Sequence, residues 1–267
     1  MRPLVACDLD RTLIYSPKAF WLETPDDLAP SIVVSELWNG VPISFMTRES
    51  ERLLAALREE AEFVPVTTRT IAQYRRVQLG AAPRFAVTSN GGEILVDGER
   101  DADWGDGVRA RLAAESAPLA EVHALFGDLA AAAWILKTNI ADDLFVYSIV
   151  DRDLMPGEWL EELRLTCEAF GWSVSVQGRK LYCVPKVLTK REAVTEVARR
   201  LGGPCILAAG DSLLDQPMLE GADAAFRPAH GELHDAEYRA GNLEVTTLRG
   251  ILAGEELLHL LQAAARA

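Results

Sequence analysis

Short apolar segments alternate with amphipathic segments along both ends of the chain, and this alternation predicts the fold class. Four apolar segments are brief enough to be buried strands: Leu4–Cys7, Phe63–Val66, Phe85–Thr88 and Cys205–Ala209. Between them, leucine and alanine recur at helical spacing, as in the run from Leu53 to Ala61. Because strands that alternate with helices form a parallel sheet covered by helices, we predict an α/β protein with a Rossmann-like core.

The pattern changes between residues 92 and 184. Apolar strands joined by a polar turn are predicted at Trp134–Leu136 and Leu144–Tyr147, and a second hairpin is predicted around Gln177–Arg179. Between the two hairpins, the apolar residues from Trp159 to Phe170 follow helical spacing. We therefore expect an α+β domain at 92–184 that is inserted into a discontinuous core domain at 1–91 and 185–267.

A further hairpin is predicted after the first strand. β-rich runs at Ile32–Trp38 and Val41–Phe45 flank Asn39-Gly40, and this dipeptide between such runs is the strongest short hairpin signal. Two interpretations are open. The hairpin is either an enlarged flap close to the end of the first strand or an edge ribbon that extends the sheet.

Composition and charge narrow the classes of partner. The 267-residue chain is 49% hydrophobic, which is enough to bury one large core or two smaller ones. No apolar run has transmembrane length and the N-terminus lacks a leader pattern, so we expect no membrane association. A net charge of −13 argues against nucleic acid and anionic membranes as partners. Four cysteines without C-x-x-C spacing are expected to be buried thiols, which fits a cytoplasmic location: Cys7, Cys167, Cys183 and Cys205.

Two aspartates follow the first strand. Because residues i and i+2 of a strand point the same way, Asp8 and Asp10 start close together at a strand's C-terminal end, where open α/β sheets bind ligands. Two charges about 4 Å apart repel by roughly 4 kcal/mol at an effective dielectric constant near 20. The pair therefore needs a cation, a shared proton or open water, and in the last case it is a solvated turn without chemistry.

Three more polar signals follow apolar strands along the chain: Thr67, Lys190 and the run from Gly210 to Asp215. The order of D-x-D-x-T, a strand-end Thr, a Lys and G-D-x-x-x-D resembles the haloacid dehalogenase superfamily of phosphohydrolases over essentially the whole chain. Asn90-Gly91-Gly92 and the long insert resemble its Cof-type branch, which carries a type IIB α/β cap. Within that branch, the sequence is most similar to sucrose-phosphate and mannosyl-3-phosphoglycerate phosphatases.

The resemblance implies a Mg²⁺-dependent phosphatase that forms an aspartyl-phosphate intermediate. Asp8 matches the nucleophile, and Asp10 matches the general acid/base that protonates the leaving alcohol and then activates water. Thr67 matches a residue that hydrogen-bonds the phosphoryl oxygens, and Lys190 matches one that neutralises the nucleophile and the phosphoryl group. The implied substrate is a small phosphorylated metabolite, such as a sugar phosphate or a phosphoglycerate-type ester.

A magnesium site is implied by the same motifs, since Mg²⁺ prefers oxygen ligands. The carboxylates of Asp8 and Asp211 and the backbone carbonyl of Asp10 match the family's ligands, and Asp215 is a fourth acidic neighbour. Asp215 has an alternative role, because Ser212-x-x-Asp215 is also a helix-capping pattern. Zinc is not indicated, because the sequence has no His/Cys cluster with ligand spacing.

The resemblance implies that the insert is a cap over the active site. The remaining residues that we predict to bind substrate lie near the phosphate site or in this insert: Thr12, Thr68, Arg69, Asn90, Arg179, Lys180 and Ser212. Three positions depart from the family pattern, because Arg11 and Thr68 stand where Gly is common and Leu214 stands where Asn is usual. Arg11 and Arg69 either add positive charge for an anionic substrate or are solvated surface arginines.

Two alternatives to a phosphatase remain open. A phosphotransferase or phosphomutase of similar fold uses the same aspartates, and a non-catalytic sensor binds a phosphorylated ligand without turning it over. The presence of Asp8, Asp10, Lys190 and Asp211 argues against the sensor, because a binding protein needs no nucleophile. We expect the chain to be a monomer or a homodimer.

Overall fold

The computed structural model describes residues 2–127 and 132–267, which form two compact units. The core unit comprises the residues up to Arg100 together with Lys190–Ala267, and the inserted unit comprises Asp101–Thr189. Both boundaries lie later than the limits expected after residues 91 and 184. The first is later because Glu93–Val96 pairs with Phe85–Thr88, and the second because the last strand of the insert runs to Pro185.

The helices and strands are numbered in chain order. The first part of the core unit contains β1 (Leu4–Cys7), β2 (Ile32–Trp38), β3 (Val41–Thr47), α1 (Arg48–Glu60), β4 (Glu62–Pro65), α2 (Ile71–Tyr74), β5 (Phe85–Thr88), β6 (Glu93–Val96) and β7 (Glu99–Arg100). The inserted unit contains α3 (Ala102–Glu115), α4 (Leu119–Ala124), β8 (Ile135–Ala141), β9 (Phe145–Val150), α5 (Gly157–Ala169), β10 (Trp172–Gln177) and β11 (Lys180–Pro185). The core unit then resumes with α6 (Lys190–Arg200), β12 (Ile206–Ala209), α7 (Gln216–Glu220), β13 (Ala224–Arg227), α8 (Glu232–Asp235), β14 (Leu243–Val245) and α9 (Ile251–Ala265). Short 3₁₀ helices lie at Pro17–Ala19, Asp26–Leu28 and Ser89–Gly91.

A five-stranded parallel sheet is the centre of the core unit. Its order is β14-β13-β12-β1-β4, so β1 lies between β12 and β4. Every residue of β1 is buried, as expected for a strand with a parallel neighbour on each side. Cys7 is in register with Ala209 of β12 and Pro65 of β4, so the three strands end at one edge of the sheet. This edge brings together residues that are far apart in the sequence.

The hydrophobic core of this unit joins α1 and α9 to β1. Leu53, Leu54 and Leu57 of α1 are at most 2% exposed and share one apolar cluster with Leu257 and Leu258 of α9. Burying one leucine side chain stabilises a fold by about 1.5–3 kcal/mol. The helical spacing of the leucines in the two segments is therefore explained by this contact.

The predicted early hairpin is formed by β2 and β3. Asn39 and Gly40 at its turn have φ angles of 50° and 79°, the left-handed geometry that a type I′ turn requires. The two strands form a sheet of their own, so the hairpin does not extend the central sheet as an edge ribbon. Isolated bridges instead join it to neighbouring segments of the core unit: Tyr15 with Phe45 and Glu36 with Val77.

A small antiparallel sheet of β5, β6 and β7 continues the core unit beyond β4. Where the extension of β4 meets β5, the backbone N–H of Thr67 donates to the carbonyl of Val87 at 2.9 Å. Ile94 and Leu95 of β6 are buried in this unit. The insert therefore begins after β7 and not at residue 92, since this antiparallel continuation interrupts the alternation of strands and helices.

The inserted unit has its own antiparallel sheet, with strand order β10-β11-β9-β8. The hairpins β8–β9 and β10–β11 confirm the two that the sequence predicts in this segment. The rings of Trp134 and Trp159 lie 4.4 Å apart between centroids, and Leu163 and Cys167 on α5 are buried. Helices α3 and α4 are not predicted by the pattern, because α3 buries few of its apolar side chains.

Two expectations from the sequence concern the burial of the cysteines and the absence of a transmembrane segment. Cys7, Cys167 and Cys183 are buried, as predicted, whereas Cys205 is exposed in the segment that precedes β12. The expectation of four buried thiols is therefore wrong for Cys205. Within the described ranges, no helix combines the length and the apolar character that crossing a membrane requires.

Candidate active site

Three buried aspartates meet where β1 and β12 end. Asp8 directly follows β1, Asp211 follows β12 after Gly210, and Asp215 lies in the next turn of the chain. Their exposed fractions are 5%, 2% and 0%. Each offers a carboxylate oxygen, and these oxygens lie within 4.8 Å of one another. We call these three residues the acidic cluster.

Lys190 supplies positive charge to the acidic cluster. It is the first residue of α6 and only 1% exposed, and its Nζ donates to Asp8 Oδ1 at 2.6 Å and to Asp215 Oδ1 at 2.5 Å. Burial lowers the pKa of this lysine, but the attraction of the two carboxylates is larger and raises its pKa above the usual value. Lys190 is therefore held in its charged form beside Asp8.

One lysine does not offset three buried carboxylates. Burial, opposed by Lys190 and reinforced by Asp215, raises the pKa of Asp8 from 3.8 to about 7. Burial and the neighbouring Asp8 and Asp215 also raise the pKa of Asp211 well above its usual value. The acidic cluster therefore favours a proton or a further cation. A hard divalent cation such as Mg²⁺ fits a donor set made of carboxylate oxygens.

Asp215 shapes the turn that carries Asp211. Its Oδ2 accepts from the Ser212 hydroxyl at 2.7 Å, from the Ser212 backbone N–H at 2.9 Å and from the Asp211 N–H at 3.1 Å. The helix-capping alternative stays open, because the bond from the Ser212 N–H to Asp215 Oδ2 is one half of a capping box, although α7 itself begins only at Gln216. A Cβ on Gly210 would lie 2.5 Å from Asp215 Cβ, so this close approach requires glycine.

Asp10 points its carboxylate at Arg69. Arg69 Nε donates to Oδ2 at 2.7 Å and Nη2 donates to Oδ1 at 2.8 Å, which is a bidentate ion pair. The Asp10 side chain is 34% exposed, whereas that of Arg69 is 7% exposed. The carboxylate of Asp10 is therefore outside the acidic cluster, and its backbone carbonyl is the group that the family resemblance offers to a metal.

Arg69 is not a solvated surface arginine, since a third donor, Nη1, reaches Glu36 Oε2 at 2.7 Å. Burial lowers its pKa, but the larger attraction of Asp10 and Glu36 raises the pKa above the usual value. The guanidinium thus contacts two carboxylates of the protein itself, and its assignment to substrate binding stays a prediction. Glu36 is not among the residues that the sequence predicts for the site. The available signal was a lone carboxylate in the apolar strand β2.

The other residues predicted near the phosphate site are buried in the core unit. Thr67 Oγ1 accepts from the Arg69 N–H at 3.2 Å, and the Asn90 N–H donates to the Thr67 carbonyl at 3.0 Å. Thr12 is fully buried, and its hydroxyl has no hydrogen-bond partner among the described residues. Thr68 is 7% exposed. The Ser212 hydroxyl, by contrast, is used internally by Asp215.

Arg11 has an unusual backbone conformation in the loop after β1. Its φ is 65°, in the left-handed region where glycine is favoured, and glycine is the residue that the sequence resemblance leads us to expect at this position. Its guanidinium lies 5.0 Å from the ring centroid of Trp21, and its carbonyl lies 2.7 Å from His230 Nε2. Burial lowers the pKa of His230 to about 4, so this ring is neutral and fixes the loop after β1. Neither Trp21 nor His230 is among the residues that the sequence predicts for the site.

Arg179 and Lys180 belong to the inserted unit. They lie at the β10–β11 turn, where Gly178 has a φ of 56° and Arg179 is exposed. The Arg179 carbonyl accepts from the Val150 N–H at 2.8 Å, which ties this turn to the end of β9. The structure therefore gathers all the predicted site residues except these two within the core unit.

Comparison with known proteins identifies the fold. No protein-family model and no curated protein matches the sequence. Sucrose-phosphatase from Synechocystis sp. PCC6803, solved with sucrose and phosphate, is 18% identical with a TM-score of 0.64, and the match covers 98% of each chain. The C-terminal domain of C. albicans trehalose-6-phosphate phosphatase is 14% identical with a TM-score of 0.61, covering 98% of this chain and 93% of that chain.

A haloacid dehalogenase-like hydrolase from B. subtilis is also similar. It is 18% identical with a TM-score of 0.56, and the match covers 97% of this chain and 99% of that one. At such identities the likeness concerns the fold, and a fold alone does not settle an activity. The order of motifs in the sequence and these matches agree, and the chain has the fold of the haloacid dehalogenase-like hydrolases.

Proposed function

We propose that this protein is a Mg²⁺-dependent phosphatase that hydrolyses a small phosphorylated metabolite of the sugar-phosphate class. The observation that carries the proposal is a buried carboxylate, Asp8, held by Lys190 at the end of the central strand β1. Two proteins that share the fold are phosphatases named for sugars, sucrose and trehalose 6-phosphate, which supports the substrate class.

Asp8 is the proposed nucleophile. Lys190 Nζ lies 2.6 Å from Oδ1, so this contact orients the carboxylate and leaves Oδ2 to attack phosphorus. A bond forms between Asp8 and phosphorus while the ester P–O bond breaks, which gives an aspartyl phosphate and the leaving alcohol. Water then attacks the phosphorus, releases inorganic phosphate and regenerates Asp8.

Asp10 is the proposed general acid and base. Its carboxyl gives a proton to the leaving oxygen in the first step and takes one from the attacking water in the second. Asp10 is the more exposed of the two motif aspartates, with a side chain 34% exposed against 7% for Asp8, which suits a group that exchanges protons with substrate and water. The bidentate contact with Arg69 holds its carboxylate in one orientation.

Small polar groups would hold the phosphoryl oxygens. A hydroxyl has one proton to donate, and Thr67 Oγ1 already accepts from the Arg69 N–H, so its own proton is left for a phosphoryl oxygen. The Thr12 hydroxyl, which has no partner among the described residues, is a second candidate. Lys190 offsets the negative charge of Asp8 and of the transferred group.

Mg²⁺ would be held by the carboxylates of Asp8 and Asp211 and by the backbone carbonyl of Asp10, with Asp215 next to them. Asp215 is committed to Lys190 through Oδ1 and to Ser212 through Oδ2, so its part is to orient its neighbours. When bound, the cation offsets charge on the phosphoryl oxygens. Specificity for the leaving group is assigned to the inserted unit and the β2–β3 hairpin, with Arg179, Lys180 and Trp38 as the residues to test.

Phosphate release is the experiment that tests the proposal. Wild-type protein, incubated with a panel of sugar phosphates and Mg²⁺, is expected to release inorganic phosphate from at least one of them and to lose activity in EDTA. Asp8→Asn keeps the shape of the side chain but cannot attack phosphorus, so activity should fall to background while circular dichroism stays unchanged. Near-normal activity in this variant would overturn the nucleophile assignment.

The same assay separates the alternatives. A phosphotransferase or phosphomutase consumes the ester and forms a new one, so ester loss without matching inorganic phosphate would favour it. A sensor would bind a sugar phosphate without consuming it. The first outcome keeps the proposed chemistry of Asp8 but replaces water as the acceptor, whereas the second contradicts catalysis altogether.

A further inference from the structure

A buried carboxylate in the β2–β3 hairpin lies behind the proposed acid. Glu36 is only 1% exposed although it belongs to a two-stranded hairpin. It accepts from Arg69 Nη1 at 2.7 Å, from Arg76 Nε at 2.9 Å and from the Ser44 hydroxyl at 3.0 Å. Burying a carboxylate is costly unless it is paired and hydrogen-bonded, and here it has three donors.

A distortion of β2 turns the Glu36 side chain toward the interior. The register of β2 against β3 shifts on both sides of Glu36, and such bulges redirect a side chain. Ser35 and Glu36 are both buried, while Val34 and Leu37 on either side of them are exposed, which breaks the alternation of a regular strand. The backbone N–H of Gln78 donates to the Ser35 carbonyl at 2.7 Å and fixes the bulge from outside the hairpin.

Arg69 transmits this position to Asp10. A guanidinium is a flat, rigid fork, so fixing one edge fixes the direction of the others. Nη1 is held by Glu36, whereas Nε and Nη2 are directed at the two oxygens of Asp10. Glu36 therefore sets the plane in which Arg69 presents its donors, and those donors set the orientation of the Asp10 carboxylate.

Stability alone does not account for this arrangement. Replacing buried ion pairs by apolar side chains is often neutral or stabilising, so such a network is weak evidence of a stabilising role. One end of this network is the Asp10 side chain, which is one-third exposed. The other members are almost entirely buried apart from Arg76. The network thus ends on a reactive group.

We propose that Glu36 is a positioning residue for Asp10 and acts through Arg69. The inference rests on the proposed function, since it assigns to the hairpin the alignment of the general acid with the leaving oxygen. A misaligned acid slows the departure of a poor leaving group and has little effect on one that needs no proton. The pattern of losses across leaving groups therefore distinguishes alignment from general damage.

The test compares kcat/KM for two aryl esters whose leaving groups differ in acidity, phenyl phosphate and 2,4-dinitrophenyl phosphate. This parameter covers only the steps up to leaving-group departure. In Glu36→Met, kcat/KM should fall about tenfold for phenyl phosphate and less than about threefold for the dinitrophenyl ester. The tenfold loss is a part of the 10²–10⁴-fold acceleration that general acid catalysis supplies. Glu36→Gln keeps one acceptor for Arg69 and should give an intermediate split, which also serves if Glu36→Met does not fold.

Arg76→Ala is the matched control. It removes the other guanidinium from Glu36 but leaves the bond to Arg69, so it should lower the two kcat/KM values equally or not at all. A second control is Glu196→Gln, a partly buried carboxylate on α6 that also bridges two arginines and should leave both values unchanged. Circular dichroism confirms that each variant is folded.

Asp10→Asn separates the failure of this inference from failure of the proposed function. It should show the largest split between the two esters. Three outcomes contradict the inference alone. The first is a larger loss on phenyl phosphate than on the dinitrophenyl ester in Asp10→Asn but not in the Glu36 variants. The others are an equal loss on both esters in the Glu36 variants, or the same difference between the esters in Arg76→Ala. No phosphate release by the wild-type protein, or no split in Asp10→Asn, contradicts the proposed function and the inference with it.

Discussion

The variant Lys190→Met removes the ammonium group from the acidic cluster and keeps a side chain of similar length. Nζ lies 2.6 Å from Asp8 Oδ1 and 2.5 Å from Asp215 Oδ1, and all three side chains are at most 7% exposed. Coulomb attraction at these distances is about 6 kcal/mol per pair at an effective dielectric constant near 20, and desolvation offsets much of it. Removing one partner of a buried pair costs about 3–5 kcal/mol. We expect a loss of this size in the free energy of unfolding at about pH 8 in EDTA.

The loss should depend on pH with a definite sign. The pKa of Asp8 is raised by burial, partly offset by Lys190, from 3.8 to about 7 in the folded protein. A carboxyl group with a raised pKa binds more protons in the folded state, so stability falls as the pH rises from 3.8 to about 7. Without Lys190 the pKa of Asp8 rises further. The deficit of the variant should therefore be smaller at about pH 5, where Asp8 is protonated with or without the lysine.

Urea unfolding followed by circular dichroism at the two pH values measures both deficits. Arg52→Met is the control, because it breaks an exposed ion pair with Glu49 in the same unit and should unfold like the wild-type protein. A loss at about pH 8 no larger than the ~1 kcal/mol of a surface pair, or the same loss at both pH values, would refute this electrostatic account.

Two further predictions concern the metal and the hairpin. Mg²⁺ should raise the melting temperature more at about pH 8 than at about pH 5, because protons compete for Asp8 and Asp211, whose pKa values burial raises. Thermal melts with Mg²⁺ and with EDTA check this, and equal shifts in melting temperature at the two pH values would contradict the metal site. Trp38→Ala removes a half-exposed ring that stacks on Arg76 at 4.4 Å. It should raise KM for the sugar phosphate and leave phenyl phosphate kinetics unchanged, whereas equal effects on both substrates would contradict a role in selecting the leaving group.

The acidic cluster can be predicted from the sequence because each of its members follows a strand closely. Strand ends are visible as apolar runs that stop at a polar residue, and parallel neighbours in register end at one edge. Asp8 and Asp211 therefore meet although about two hundred residues separate them. The order of the motifs adds Lys190, which α6 presents to Asp8 from its first residue.

The environment of Asp10 cannot be predicted in the same way. Its partner Arg69 is held by Glu36, which lies between two register shifts in β2, and the sequence shows the carboxylate in an apolar strand but not these shifts. The left-handed conformation of Arg11 is not marked by the local sequence either, and its one signal is that glycine is common at this position in the resembled family. The part of the site that depends on backbone irregularity and on contacts between distant loops therefore becomes visible only in the folded structure.

The most direct test of the central claim is to trap the intermediate. Wild-type protein turning over a sugar phosphate with Mg²⁺ is quenched with acid, digested and analysed by mass spectrometry. We predict one added phosphoryl group on the peptide that contains Asp8, and none on that peptide in Asp8→Asn. Turnover without a phosphorylated Asp8 peptide, or a phosphoryl group on another residue, would contradict the account.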